Sequence, residues 1–107
     1  AALAAGGLEL LEGAGVDRGT ASKMLGPLLR SVAENVERLG LPQALTGPVR
    51  RGDAGAVERH LATSGRLAPH LSAFYAAAAA AQLPLARSLG EAPAENFDAV
   101  AGVLSRR

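Results

Sequence analysis

The sequence predicts an all-α fold, a bundle of helices, and three observations predict it. Alanine and leucine supply most of the apolar content, and Phe74, Tyr75 and Phe97 are the only aromatic side chains of that class. Alanine has the highest helix propensity of any residue, and small side chains let helices approach closely. Apolar residues also recur at helical spacing in several stretches, whereas no stretch alternates or gathers β-branched residues as a strand would. At 107 residues the chain is one domain at most, so residues 1–107 are read as a single helical domain.

The first helix runs from Ala1 to Glu12, with Leu3, Leu8, Leu10 and Leu11 among alanines, and Gly13-Ala14-Gly15 ends it. Gly6-Gly7 inside it marks a close helix crossing. Asp17 then caps a long second helix whose apolar positions Ala21, Met24, Leu25, Leu28, Val32, Val36 and Leu39 share one face. Pro27 interrupts its hydrogen-bond ladder, so a kink is expected near Gly26-Pro27. Gly40 and Pro42 end that helix.

Residues 40–52 form the one long connection. Asp53 caps a third helix reaching about Ser64, and Pro69 suits the first turn of a fourth. The fourth carries Leu71, Phe74, Tyr75 and the alanine run 76–81, an expected helix–helix contact, with a bend at Pro84. After Gly90 and Pro93 a last helix places Phe97, Val100, Ala101 and Leu104 on one face.

Composition excludes several classes of function. No run approaches the roughly 18 apolar residues of a membrane span, so no membrane partner is expected. The net charge is +1, with acids and bases interspersed, which argues against the one-sided basic surface of a nucleic-acid binder. Arg106-Arg107 reads as a solvated end. The chain has no cysteine, and a reducing cytoplasm is the expected location. The opening Ala1-Ala2-Leu3-Ala4-Ala5 reads as a helix already under way, which implies a longer polypeptide cut or partly represented here.

The segment Ala44-Leu45-Thr46-Gly47-Pro48-Val49-Arg50-Arg51-Gly52-Asp53, followed by His60-Leu61, carries the chemical information. Long loops in small domains are often functional. This one combines glycines that permit close backbone approach, a hydroxyl, two guanidinium groups and a helix N-terminus, which favours anions. Asp53 and His60 lie seven residues apart, on nearly one helix face and about 10 Å apart along the axis, so both could line one cleft without touching.

The string Ala-Leu-Thr-Gly-Pro-x-x-Arg-Gly-Asp, with a histidine seven residues after the aspartate, resembles the signature of a family of Rossmann-like proteins whose C-terminal part is domain of unknown function 2520. Leu10-Leu11-Glu12-x-x-Gly15-Val16, Leu25-Gly26-Pro27-Leu28-Leu29, Asn35 with Gly40, and Tyr75 extend the likeness from about Leu8 to Ala86. The resemblance implies a helical domain similar to the C-terminal domains of 6-phosphogluconate dehydrogenase and pyrroline-carboxylate reductase, which pair into dimers and close over the nicotinamide. It also implies an N-terminal dinucleotide-binding domain that this chain lacks. There is no strand–glycine-loop–helix unit and no GxGxxG fingerprint, so NAD(P) is expected to be bound by the other domain and not by this fragment alone.

Two roles stand open for each site residue. Thr46, Gly47 and Pro48 are either a turn or a cleft wall that contacts substrate or cofactor. Arg51 either pairs with Asp53 or grips a carboxylate or phosphate with its fork, Gly52 beside it, while Asp53 keeps its capping role in both cases. Arg50 is read as surface. His60 is either a packed residue or a general acid–base, since an imidazole exchanges protons near neutral pH, and Thr46 is the second catalytic candidate. Asn35 either binds ligand or, by preference, joins two helices as a buried amide. Tyr75 either reaches the cleft or packs in the core. His70 is weaker than His60, and the histidines and Asp53 lack the spacing of a metal site.

The expected function is therefore the dimerisation and substrate-cleft domain of an NAD(P)-dependent oxidoreductase acting on a small molecule. The alternatives are a non-enzymatic helical scaffold and an anion or nucleotide sensor using the same residues without turnover.

Overall fold

A computed structural model of the protein describes residues 1–106, and the helices form where the sequence signals place them. They are α1 (Ala2–Gly13), α2 (Arg18–Leu39), α3 (Ala54–Leu67), α4 (Ser72–Leu89) and α5 (Ala94–Ser105), with one 3₁₀ turn, Pro69–Leu71, leading into α4. No strand occurs among the described residues. The chain is an all-α bundle.

Its boundaries have identifiable chemical causes. The Asp17 carboxylate accepts from the Thr20 N–H at 3.0 Å and from the Thr20 hydroxyl at 2.7 Å, and α2 starts there. Those two bonds hold the carboxyl below its ordinary range. Gly40, at φ +69°, ends α2. Asp53 accepts from the Ala56 N–H at 3.0 Å and starts α3, which runs one turn past the expected end at Ser64. Pro27 and Pro84 both lie within continuous helices. Pro69 belongs to the 3₁₀ turn before α4 rather than to α4 itself.

The core lies between α3, α4 and α5. Val57 and Leu61 of α3, Ala79 and Ala86 of α4, and Phe97, Val100, Val103 and Leu104 of α5 are buried together, joined by Val49 from the long connection. The alanine run contributes through Ala79 and, partly buried, Ala76; Ala77, Ala78, Ala80 and Ala81 remain exposed.

The second helix behaves differently. Its apolar face was legible as a helix period, yet it builds no core: Ala21 is buried, while Met24, Leu28, Leu29, Val32, Val36 and Leu39 are exposed. A periodic stripe states which face seeks a partner and not whether the same chain supplies one. What α2 packs on is α1. A Cβ on Gly7 would stand 3.1 Å from Leu25 Cδ1, so the glycine permits the close crossing expected at Gly6-Gly7. The α1–α2 hairpin meets the rest of the molecule through α1, where Gly6 lies under Leu71 and Glu9 pairs with His70 Nε2 at 2.9 Å. The result is a slab of 41 × 35 × 18 Å with a radius of gyration of 14.4 Å, larger than the roughly 13 Å of a compact domain this size. Arg106 is exposed, and Arg107 lies outside the described residues.

Candidate functional site

The connection between α2 and α3 is held by two residues that the sequence reading passed over. Val49 is driven into the core, 1% exposed. Arg50, read above as surface, is instead the fastening of the loop. Its Nε and Nη2 donate to Glu91 at 2.9 and 2.8 Å, and its Nη1 donates to the carbonyls of Gln43 and Leu45. That fork holds the Glu91 carboxyl below its usual range. The loop is thereby pinned at both of its ends and to the α4–α5 turn.

The following turn is closed by backbone bonds from Gly52 N–H to the Val49 carbonyl, 3.0 Å, and from Asp53 N–H to the Pro48 carbonyl, 2.9 Å. Gly52 is buried at φ +65°, and a Cβ there would sit 2.8 Å from Asn96 Cβ. Only glycine fits. This turn delivers Asp53 to the start of α3, so Asp53 is a cap, as expected.

Two hollows flank Tyr75. The larger, about 440 Å³, lies between the α1–α2 hairpin and the start of α4, and its lining includes Leu3, Leu28, Val32, Phe74 and the hydroxyl-bearing Thr46, Ser64 and Tyr75. The smaller, about 340 Å³, is lined by Leu10, Leu11, His60, Thr63, Ser64, Leu67 and Tyr75. Tyr75 and Ser64 border both. No charged side chain lines either.

His60 is exposed and does not share a cleft with Asp53. It meets Tyr75 instead: Nδ1 lies 3.0 Å from the phenol oxygen, and the rings stand edge to face with centroids 5.9 Å apart. Tyr75 is half-buried, and burial pushes its phenol above the ordinary value. Tyr75 packs against the core, as preferred in the sequence reading, and also borders both hollows. Ser64, which the sequence reading missed, donates back to the Leu61 carbonyl at 3.2 Å. Its signal was its place in the buried series Val57, Leu61, Ser64 along α3.

Thr46 borders the larger hollow and makes no hydrogen bond among the described residues, so it does not serve as the local backbone tie of a turn. Arg51, Gly47, Pro48, Gly52 and Asp53 line neither hollow. Arg51 is exposed and forms no ion pair with Asp53 or any other described residue. Asn35 is half-exposed on α2 and accepts from Arg38 of the same helix at 3.2 Å, which corrects the preferred reading of an amide joining two helices. Among the described residues no three His, Asp or Glu side chains gather as a metal site would require, and no helix is long and apolar enough to cross a membrane.

A protein-family profile described as Domain of unknown function (DUF2520) matches residues 1–82. That span starts earlier and ends sooner than the expected Leu8 to Ala86, and it stops inside α4. It contains every residue lining both hollows, whereas Glu91 and α5 fall beyond it. A search of curated proteins and a search of solved structures each found no match.

Proposed function

Because the chain belongs to the DUF2520 family, we propose that it is the helical half of a two-domain NAD(P)-dependent oxidoreductase, walling a small-molecule cleft and pairing with a second copy. The observation that carries the cleft is the larger hollow, an apolar trough of about 440 Å³ with three hydroxyl groups on its lining. Small-molecule sites have this composition: apolar walls and a few placed polar groups.

The hollows do not fit a dinucleotide. They present no cation and no glycine-rich turn at a helix start, and a pyrophosphate needs one or the other. On this reading NAD(P) is held by a separate N-terminal domain, and the cofactor would supply the hydride chemistry. The residues here bind and orient the substrate. The trough holds its apolar body. Tyr75, steadied by His60, and Thr46 offer hydrogen bonds to a carbonyl or imine group. Arg51, exposed and without an ion-pair partner among the described residues, meets an anionic group approaching from outside the hollows. His60 acts through Tyr75.

The test begins with the sequence preceding Ala1. A βαβ unit with a glycine-rich turn is the expected finding, and its absence overturns the oxidoreductase reading. On that longer protein, NADPH and NADH are titrated by fluorescence, and turnover is compared for Tyr75→Phe, His60→Gln and Arg51→Ala. Loss of kcat in the first two, with cofactor affinity preserved, supports the assigned roles. A protein that binds neither dinucleotide is a scaffold or sensor.

A further inference from the structure

The free face of α2 is the largest unexplained feature of the molecule. Leu28 is 59% exposed, Val32 49% and Leu39 45%, on a helix of 22 residues. With Met24, Leu29, Val36, and with Leu3 and Phe74 across the trough, these side chains present on the order of 800 Å² of apolar surface. Monomers seldom expose a continuous patch above about 300–600 Å². A standard protein interface buries about 800 Å² on each partner. The area is that of one side of a stable interface.

Three properties select the occupant. The stripe is longer than any ligand of the trough, because Val36 and Leu39 do not line it. Its positions carry no formal charge, whereas Lys23, Arg30, Glu34 and Glu37 project from the opposite side of the helix by its 100° period. An uncharged stripe gives no purchase to nucleic acid or lipid headgroups. It also meets itself across a two-fold axis without opposing like charges, which is the condition for an isologous contact.

We infer that α2 of one chain packs antiparallel on α2 of a second copy, with the two-fold axis between Leu28 and Val32. The inference rests on the reading of this domain as a pairing half and adds where the pair forms. Leu28, Leu29 and Val32 belong both to the stripe and to the lining of the trough. The second copy therefore roofs the trough, and the cleft is complete only in the dimer.

The test uses the whole chain in sedimentation velocity at tens of micromolar. The parent is expected to sediment as a dimer. Leu28→Glu and Val32→Lys are each expected to weaken pairing by about a hundredfold or more, since each buries an unpaired charge, while helical circular dichroism is retained because both side chains face solvent in the single chain. Antiparallel packing about that axis sets position 28 of one copy against position 32 of the other, so mixing the two variants restores a dimer. A monomeric parent, variants that still dimerise, or a mixture that stays monomeric overturns the inference. A monomeric parent also removes the pairing from the proposed function, whereas variants that still dimerise or a mixture that stays monomeric overturn the α2 seam alone, and cofactor use is read by the separate titration.

Discussion

Arg50 reaches across 41 positions of sequence to Glu91 and holds both carboxylate oxygens, Nε on Oε2 at 2.9 Å and Nη2 on Oε1 at 2.8 Å. Its remaining nitrogen, Nη1, donates to two carbonyls of its own loop. One side chain thus ties the segment before Thr46 to the α4–α5 turn. Arg50→Lys keeps the charge and loses the fork. Amide hydrogen exchange is expected to quicken at Leu45, Gly52 and Asp53 in this variant and to stay unchanged in α5. Equal exchange in parent and variant would remove Arg50 from its fastening role.

The two loop glycines separate strain from space. Gly52→Ala meets both a left-handed backbone and Asn96 at 2.8 Å, and a loss of about 2–4 kcal/mol is expected in urea unfolding. Gly47, at φ +94°, has nothing within 4 Å of an added Cβ, so Gly47→Ala is expected to cost only about 1–2 kcal/mol.

The two phenylalanines divide in the same way. Phe97 is 2% exposed and Phe74 is 44% exposed. Phe97→Ala is expected to cost about 3–5 kcal/mol. Phe74→Ala should stay within about 1 kcal/mol in the single chain, read from the same unfolding curves.

Ser72 has a buried hydroxyl oxygen with no hydrogen-bond partner, set where a Cβ on Gly65 would stand 3.2 Å from it. Ser72→Ala removes an unsatisfied polar group at little cost in packing. The expected change runs from neutral to about 1 kcal/mol of stabilisation. A clear loss in thermal unfolding would mean that the hydroxyl is bonded in solution.

The acid and alkaline limbs of stability have opposite origins. The carboxyl of Glu91 is held low by the Arg50 fork, and that of Asp17 by the Thr20 hydroxyl and N–H. A folded-state value below the unfolded one favours folding above the ordinary carboxylate range, about pH 4, and the contribution fades as pH falls through the folded values. Tyr75 is raised by burial, so its neutral phenol favours folding up to about pH 10 and the contribution is lost as pH rises through the folded value. Thermal unfolding across pH should show the acid limb flattened in the double variant Asp17→Asn, Glu91→Gln and the alkaline limb flattened in Tyr75→Phe.

The helices were legible because their causes are local. Asp17, Asp53, Gly40 and Gly90 act on neighbouring backbone groups, and each marks a boundary in the structure. The candidate site was legible in part. Thr46, His60 and Tyr75 do border the two hollows, but the pairing of His60 with Tyr75 depends on how α3 meets α4, and seven-residue spacing along one helix pointed to Asp53 instead. Val49 and Arg50 occupy the positions between Pro48 and Arg51 that carry no motif. Their partners lie in the core and at Glu91, beyond the reach of any local pattern.

The trough has one further consequence. Its two walls belong to differently anchored pieces: α4 is built into the core, whereas the α1–α2 hairpin is attached through Gly6 under Leu71 and the Glu9–His70 pair. Gly13, where a Cβ would stand 3.3 Å from Leu67 Cβ, adds a third point of attachment. The width of the trough between Leu28 and Phe74 is therefore set by how α1 seats on Leu67, Leu71 and His70.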